Sequence, residues 1–304
     1  MPNAPPAIQA LAVTGATGFV GRRLVAALLE RRAPRVRLLV RDPASAALPR
    51  SLPPGWDVVP ADLGAPRWET DLAGIDTVVH LAARTGKARP ASHHRDGVVA
   101  TTALLRAAER SGVRRFLFVS SIAAGFPDRR FYHYANAKAA AESAVLASRL
   151  ETLIVRPTMV FGSGSPVLAG LVKLASLPRP LMFGAGQSVQ PVHVDDLVVA
   201  ILAALDLDRW AGQTLDYGGP ITLPMDQLLA RIRSARGLPA RRPIRVPLEP
   251  LRTLLALAEP LFLPVLPFTA GQLASFANSA AARPDASQTL PAPRVGLEDM
   301  IRES

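Results

Sequence analysis

The sequence predicts an α/β protein in which a doubly wound parallel sheet carries helices on both faces and a smaller C-terminal lobe covers a ligand cleft. Three observations predict this fold class. Apolar runs alternate with helix-like segments through the first half of the chain, several runs are apolar throughout, and three glycines join the first run to the first helix. Runs such as residues 116–119 are typical of strands that are buried on both faces.

The elements follow in order from local patterns. An apolar run at 8–13 predicts the first strand, and apolar residues three or four apart predict a helix over 20–31. Later apolar runs and helix-like segments repeat this alternation at the spacing of α/β proteins. The other predicted strands are 36–40, 57–59, 77–81, 115–120, 152–155 and 214–217, the other predicted helices are 65–72, 98–111 and 133–149, and a strand-plus-helix unit is predicted at 192–205.

The turn between the first strand and the first helix has the composition of an anion-binding loop. Gly15 permits a sharp bend, Gly18 lets the backbone approach a ligand, and Gly21 lets the helix pack close to the strand. The helix N-terminus adds free amide groups and a partial positive charge. We therefore expect a pyrophosphate at this turn and a Rossmann-type sheet around it.

The composition of the sequence changes after Pro157, where proline and glycine become frequent. We predict an NAD(P)-binding Rossmann domain over residues 1–160, with a return segment at about 190–217. Most of residues 161–304 is predicted to form the substrate-binding lobe. The tail after Arg283 has few large apolar residues and is expected to pack loosely.

The composition narrows the function classes. The chain has 304 residues, of which 49% are hydrophobic and 19% charged, and it has no cysteine, so disulfides, thiol catalysis and cysteine-ligated metals are excluded. The net charge of +11 comes mainly from arginines scattered along the chain, so no nucleic-acid partner is expected. His93 and His94 are adjacent and point apart on a helix, so no metal site is predicted.

No integral membrane segment is predicted, because no apolar run reaches the length needed to span a bilayer. The N-terminus lacks the pattern of a signal peptide, which predicts a cytoplasmic protein. The longest apolar stretch, residues 254–268, contains Glu259 and three prolines. We interpret it as part of a substrate pocket or of a homodimer interface, and peripheral membrane contact is the alternative.

Tyr134 and Lys138 lie four residues apart in a predicted helix, so both side chains share one face. A nearby ammonium favours the phenolate and should lower the tyrosine pKa, which makes the pair a general acid or base. Ser120 and Ser121 end the preceding strand, where a hydroxyl can hydrogen-bond a substrate oxygen.

Seven sequence motifs follow one another between residues 14 and 196. They are Thr14-Gly15-Ala16-Thr17-Gly18-Phe19-Val20-Gly21, Asp62-Leu63, His80-Leu81-Ala82-Ala83, Ser120-Ser121, Tyr134-x-x-x-Lys138, Arg156-Pro157-Thr158-Met159-Val160-Phe161-Gly162 and Val192-His193-Val194-Asp195-Asp196. In this order they resemble the extended or atypical branch of the short-chain dehydrogenase/reductases, over about residues 8–220. The Gln190-Pro191-Val192 form resembles the divergent subgroup related to the NADPH-binding subunit of respiratory complex I.

The resemblance implies roles for the site residues. Tyr134 would transfer a proton, Lys138 would lower the tyrosine pKa and hold the nicotinamide ribose, and Ser121, rather than Ser120, would position the substrate oxygen. His193 is expected at a strand end, with an aspartate capping the next helix. The expected cofactor-binding residues are Gly15, Thr17, Gly18, Phe19, Val20, Gly21, Arg22, Arg41, Asp62, Leu63, Leu81, Ala82, Ala83, Tyr134, Lys138 and Pro157.

The end of the second strand bears on the choice of cofactor. NAD-specific members carry an acid there that binds the ribose, whereas this chain has Arg41 first and Asp42 second. A guanidinium suits the 2′-phosphate of NADP, and Arg22 is a second candidate contact. NADP(H) is therefore favoured over NAD(H), the alternative being that Asp42 binds the ribose and Arg41 is solvated.

The chain departs from the family pattern at two positions. Gly97 stands where many members carry an asparagine that supports the catalytic lysine, and Val189 stands where nucleotide-sugar members carry a diphosphate-binding arginine. The leading expectation is an NADP(H)-dependent oxidoreductase acting on a small, fairly apolar carbonyl or alcohol. The alternatives are a non-catalytic NADPH-binding structural or assembly protein and a nucleotide-sugar epimerase or dehydratase.

Overall fold

A seven-stranded, wholly parallel sheet forms the centre of the protein in a computed structural model. Its strands are β1 (Leu11–Thr14), β2 (Val36–Val40), β3 (Trp56–Pro60), β4 (Thr77–His80), β5 (Arg115–Val119), β6 (Glu151–Pro157) and β11 (Gln213–Tyr217). Their order in the sheet is β11-β6-β5-β4-β1-β2-β3. The strand order reverses between β1 and β4, so a ligand crevice is expected at their carboxyl ends.

The structure describes most of the chain. The described residues are 10–45, 47–65, 72–184, 186–266, 268–283 and 289–303. The predicted helix at 65–72 lies almost wholly outside them, as does the start of the predicted strand at 8–13. The other strands and helices predicted for the first half are found close to their expected positions.

Helices cover both faces of the sheet. The apolar sides of α1 (Phe19–Glu30) and α6 (Val194–Leu205) pack on one face around Val13, and those of α3 (Ala100–Arg110) and α4 (His133–Leu146) pack on the other around Phe116. Both faces of the central strands are therefore buried, which explains their continuous apolar runs. The helices of these layers are α1 (Phe19–Glu30), α2 (Pro90–His93), α3 (Ala100–Arg110), α4 (His133–Leu146) and α6 (Val194–Leu205), and a π-helical segment, His94–Val99, joins α2 to α3.

The C-terminal lobe has its own apolar cluster, which includes Phe161, Leu228 and Met300. Its chain returns to the main sheet once, as β11, whereas the strand predicted at residue 192 pairs with β7 (Val160–Phe161) outside the sheet. The remaining elements are β7 (Val160–Phe161), α5 (Pro166–Ala175), β8 (Leu181–Phe183), β9 (Ser188–Val189), β10 (Val192–His193), β12 (Leu223–Pro224), α7 (Met225–Ala235), β13 (Ile244–Val246), α8 (Leu248–Phe262) and α9 (Leu297–Arg302).

Two local expectations are wrong. The described part of the tail packs firmly, because Leu290, Met300 and Ile301 are buried. His193, rather than an aspartate, caps α6: its Nδ1 accepts a hydrogen bond from the Asp195 amide at 3.3 Å. A few large side chains suffice to hold a short terminal helix against an apolar cluster, even where the sequence around it is polar.

Within the described ranges, none of the helices combines the length and the apolar character required to cross a membrane.

Candidate active site

The glycine turn after β1 excludes side chains because other backbone segments come close to it. Gly15 has a φ of 72°, and a Cβ there would lie 2.7 Å from the Ala82 amide nitrogen. A Cβ on Gly21 would overlap the Gly15 carbonyl oxygen, and one on Gly18 would come within 3.1 Å of the same oxygen. No acidic side chain stands in the first turn of α1. The result is a main-chain cradle at a helix N-terminus, which suits a phosphate.

A chain of hydrogen bonds joins this turn to the start of α3. The Ala82 amide donates to Thr14 Oγ1 at 3.2 Å, and that oxygen lies 2.6 Å from His80 Nδ1. His80 Nε2 lies 3.0 Å from Thr101 Oγ1, whose hydroxyl donates to the Gly97 carbonyl oxygen at 2.6 Å. Because the carbonyl can only accept, Thr101 accepts from His80 Nε2–H, and His80 Nδ1 accepts from Thr14. This arrangement fits a neutral His80 with its proton on Nε2.

The surroundings of His80 agree with the neutral form. The ring is fully buried and stacks on Phe118 with 5.4 Å between ring centres. Burial lowers the pKa of His80 to about 3, and the positive charge of Lys138 acts in the same direction. The histidine thus serves as a fixed link between the glycine turn and α3, and it does not titrate near neutral pH.

The protein is expected to lose stability as the pH falls from about 6.5 toward 3. In this window the unfolded histidine binds a proton that the folded one does not, because the folded pKa is about 3. We expect His80 to contribute up to about 4 kcal/mol of this loss. Denaturant unfolding at pH 7 and pH 4 measures it.

The matched variants are His80→Asn, which removes the titrating ring, and His94→Asn, which changes an exposed histidine nearby. We expect the acid-induced loss to be smaller in the first variant and unchanged in the second. Equal losses in the wild type and in His80→Asn would contradict the assignment of the neutral link.

Ser121 and Tyr134 interact at the carboxyl end of β5. Ser121 Oγ accepts from the Ala123 amide at 3.2 Å, which leaves the Ser121 hydroxyl proton for a second partner. Burial raises the pKa of Tyr134, the neighbouring Tyr132 acts in the same direction, and a hydrogen bond from Ser121 opposes them only in part. The phenol is therefore protonated at neutral pH and is ready to donate.

Lys138 lies one helical turn after Tyr134 and points toward the sheet. Its Nζ donates to the Val119 carbonyl oxygen at 2.7 Å and lies 4.5 Å from the centre of the Phe118 ring. Burial lowers the pKa of Lys138 to about 7, although Glu142 raises it. The expectation that Lys138 lowers the pKa of Tyr134 is not met by the groups of the chain itself, because burial of the phenol and the neighbouring Tyr132 raise that pKa and Ser121 alone opposes them.

The Ser120 hydroxyl indicates a place for a polar group of a ligand. Ser120 lies between Val119 and Ser121 in the chain and is buried, and its Oγ has no hydrogen-bond partner among the residues described. Buried hydroxyl groups are normally paired. This oxygen and the glycine cradle lie at the carboxyl edge of one sheet, so the residues fit a ligand with a phosphate end and a polar end, as a nicotinamide dinucleotide has.

A cluster of arginines surrounds Asp96 beyond the ends of β2 and β4. Arg84 Nε lies 2.6 Å and Arg41 Nη1 3.9 Å from Asp96 Oδ2, and Arg95 Nε lies 2.7 Å from Oδ1. Although burial opposes it, hydrogen bonds from Arg95 and Arg84 lower the pKa of Asp96. One carboxylate thus holds a group of guanidiniums with a net positive charge, and the side chain of Arg41 is 65% exposed.

The other candidate residues are spread along the same edge. Asp62 follows β3 at one end of the sheet, with its Oδ1 accepting from the Gly64 amide at 3.3 Å, and Pro157 ends β6 on the far side of β5. The structure thus brings Ser121 and Tyr134 together but separates Asp62 from Pro157 by the width of the central strands. Most of the remaining candidates lie in the glycine turn, in the first turn of α1 or after β4, and they are exposed or half-buried. These residues are Thr17, Phe19, Val20, Arg22, Leu81, Ala82 and Ala83. Leu63, in contrast, is buried.

Sequence reasoning gave no role to Thr14, Thr101 or Asp96. Thr101 lies four residues after Gly97, the usual spacing for a hydroxyl that bonds to a helix carbonyl, but this pattern is common in helices. Only the position of His80 between the two threonines shows what they do. For Arg84, the sequence is equally compatible with a ligand contact and with an ion pair. In the structure Arg84 forms an ion pair with Asp96.

Comparison with known proteins agrees with this geometry. Residues 15–203 match the profile of a family described as NAD(P)H-binding. The chain is 36% identical over 201 residues to a ceramide reductase of Caulobacter vibrioides, covering 64% of this chain and 60% of that protein. It is 34% identical over 226 residues to the mitochondrial NADH dehydrogenase [ubiquinone] 1 alpha subcomplex subunit 9 of Arabidopsis thaliana, covering 68% and 53% respectively.

The chain therefore spans somewhat more than half the length of these two curated relatives. The fold is also that of a solved structure described as MoeE5 in complex with UDP-glucuronic acid and NAD. That structure is 22% identical, with a TM-score of 0.72 and 97% of each chain covered. At this identity the likeness establishes the fold.

Proposed function

This chain belongs to the NAD(P)H-binding family, among the extended short-chain dehydrogenase/reductases, and we propose that it is an NADP(H)-dependent oxidoreductase. The proposed reaction moves a hydride between the cofactor and a small, fairly apolar carbonyl or alcohol. The observation that carries the proposal is the pairing of the protonated, partly buried Tyr134 phenol with Ser121 beside the buried Lys138. This arrangement stands at the sheet edge where the glycine cradle opens, which places a proton donor beside the expected cofactor.

The residues that would hold the cofactor lie in sequence along this edge. The amides at the start of α1 would bind the diphosphate, Asp62 and Leu63 would border the adenine, and Lys138 and Ser120 would contact the nicotinamide end. When bound, the cofactor would supply or accept the hydride. Its dry environment would be provided by the segment after β4 and by the C-terminal lobe.

The chain itself would handle the proton. In the direction of reduction, Ser121 would orient the carbonyl oxygen and the Tyr134 hydroxyl would donate its proton to that oxygen. Lys138 would then stabilise the resulting phenolate while it is cationic, which its pKa of about 7 permits near neutral pH. In the direction of oxidation the same phenol must first lose its proton, so this direction would require a higher pH.

The preference for NADP(H) rests on the arginine cluster. Arg41 is exposed at the end of β2, whereas Asp42 Oδ1 accepts a hydrogen bond from the Ala44 amide at 3.0 Å. A guanidinium suits the additional phosphate of NADP, and a carboxylate that is held in its own turn is less available to a ribose.

Arg41→Ala is expected to weaken NADPH binding by about ten- to a hundredfold, because a charge-assisted contact contributes roughly 1.5–3 kcal/mol. NADH binding should change by less than about threefold. Fluorescence titration of both cofactors measures the two affinities. Arg110→Ala, which removes an exposed arginine from the last turn of α3, is the charge-matched control and should leave both affinities unchanged. Equal weakening of NADPH and NADH by Arg41→Ala would contradict the preference.

The apolar character of the substrate is supported by an exposed aromatic side chain close to Tyr134 and by one relative. Phe131, three residues before Tyr134, is 38% exposed. The relative from Caulobacter vibrioides is named for reduction of ceramide. NADPH oxidation assayed against a panel of carbonyl compounds of increasing chain length tests this class.

A non-catalytic NADPH-binding role is the second candidate, and Gly97 favours it. The glycine stands in a π-helical segment, and a Cβ there would lie 3.0 Å from the Ala137 Cβ, so the asparagine of many relatives does not fit without a shift of α4. Tight NADPH binding without turnover on any carbonyl would favour this role. A nucleotide-sugar reaction is disfavoured, because Val189 is fully buried in β9 and offers no charge to a diphosphate.

A further inference from the structure

Helix α8 carries a stripe of exposed apolar side chains, which we call the α8 stripe. Leu254, Leu257 and Leu261 are 64%, 74% and 79% exposed and lie on one face of the helix. Phe262, the last residue of α8, and Val265, beyond its end, are also exposed and extend this face. Scattered single apolar residues on a surface are ordinary, but a contiguous apolar patch marks an interaction site. We therefore expect the α8 stripe to contact a binding partner or a surface.

The opposite side of α8 already has its partners. Leu255 is buried in an apolar cluster with Phe183 and Leu273. Arg252 is fully buried and forms an ion pair with Asp128, with Nη1 at 2.6 Å from Oδ2. The helix is thus anchored to the protein by its inner face. The α8 stripe is the outer face of a fixed helix.

The charges around the α8 stripe suit an anionic surface. Between residues 253 and 266 the one ionisable side chain is Glu259, which turns inward and accepts from the Ala270 amide at 2.5 Å. At the end of the stripe the ammonium of Lys87 lies 2.7 Å from the Leu266 carbonyl oxygen, and Arg245 is exposed in the strand that leads into α8. Glu249, in the first turn of α8, is held in ion pairs with Arg130 and Arg252, which offset its charge. An apolar face with cations at its margins is typical of a helix that lies in a membrane interface.

Both ends of α8 connect to the candidate active site. At one end, Arg252 holds Asp128, which lies six residues before Tyr134. At the other end, Lys87 lies in the loop that also carries Arg84, whose carbonyl oxygen lies 3.2 Å from His93 Nδ1. The His93 ring centre is in turn 6.4 Å from that of Tyr134. A surface bound to the α8 stripe would therefore lie beside the site and in a fixed relation to it.

We propose that the α8 stripe docks the protein on the surface of an anionic phospholipid bilayer. The leucines and Phe262 enter the interface, and Lys87 and Arg245 contact the lipid phosphates. The second part of the proposal rests on the proposed function: docking brings the site to a substrate that is dissolved in the membrane. An apolar carbonyl compound partitions from water into the bilayer and has its highest local concentration there.

The test is flotation of the full chain with phosphatidylglycerol-rich vesicles and with phosphatidylcholine vesicles. We expect binding to the anionic vesicles, weaker binding to the neutral ones, and a decrease at high salt. The double variant Leu257→Ser and Leu261→Ser should weaken binding by at least about tenfold, because it removes two apolar side chains from the interface. Leu146→Ser, which changes a leucine that is 49% exposed on α4, should bind as the wild type does.

Binding of the double variant at the wild-type level would overturn the proposal, as would absence of the wild type from the floated fraction. Conversion of a wild-type dimer to a monomer by the double variant, with flotation unchanged, would instead assign the α8 stripe to contact between copies and would also overturn it. Turnover of a short, water-soluble carbonyl compound separates docking from chemistry. If no carbonyl is turned over but the vesicle results hold, the docking surface stands and the proposed function falls.

Discussion

Tyr134→Phe is expected to lower the turnover number by about a thousandfold, within the range that proton transfer contributes to catalysis. The phenol is the proton donor in the proposed reduction, and the phenylalanine ring retains its shape without the proton. Because the cofactor would be held mainly by the glycine turn and Lys138, NADPH affinity should stay within about threefold of the wild type. Steady-state kinetics and a fluorescence titration measure the two quantities.

Tyr132→Phe is the matched control for this variant. Tyr132 also lies in the site region, with its ring centre 5.9 Å from that of Tyr134, and it is hydrogen-bonded to Ser275. Loss of that hydroxyl should change the turnover number by less than about tenfold, because no proton passes through it. A Tyr134→Phe enzyme as active as Tyr132→Phe would remove the phenol from the mechanism and would favour the non-catalytic role.

Gly21→Ala is expected to abolish measurable cofactor binding. Its new methyl group would overlap the Gly15 carbonyl oxygen, and because both atoms are backbone or adjacent to it, the glycine turn must open. Such overpacking typically costs about 1–3 kcal/mol of stability, so Tm should fall as well. Thermal unfolding and titration with NADPH and NADH measure the two losses.

Two further glycine variants separate binding from folding. Gly170→Ala also adds a methyl group to a glycine in a helix, but at a position with no atom within 4 Å, so Tm and affinity should be maintained or slightly improved. Gly18→Ala leaves 3.1 Å to the Gly15 carbonyl oxygen, so the chain should fold while the backbone is held away from the ligand. Normal cofactor affinity in both Gly18→Ala and Gly21→Ala would show that the dinucleotide does not bind at this turn.

The positions of the sheet strands along the chain and the nature of the first turn were predictable because they depend on local chemistry, whereas the order of the strands in the sheet was not predicted. Buried parallel strands require continuous apolar runs, and a turn that another backbone segment approaches within contact distance requires glycine. The position of Tyr134 and Lys138 on one helix face was likewise predictable from the sequence, since residues four apart share a helix face. This spacing could not predict where the Lys138 side chain points or which way the Tyr134 pKa shifts. Lys138 extends to the Val119 carbonyl oxygen, and the Tyr134 pKa rises because the phenol is buried.

The features that the sequence left open depend on residues far apart in the chain. His80 links the glycine turn to α3 because it lies between Thr14 and Thr101. Asp96 forms ion pairs with arginines from three separate segments. Arg252 forms an ion pair with Asp128, which is more than a hundred residues away in the chain.

By itself, then, the sequence determined the fold class, the glycine turn between β1 and α1 and the shared helix face of Tyr134 and Lys138, because each follows from periodicity or from the size of a side chain over a few neighbouring positions. The tertiary structure alone decided the protonation states, the caps, the packing of the C-terminal tail and the exposure of the outer face of α8. These depend on how much water and which charges the folded chain leaves around each group, and no local pattern encodes that.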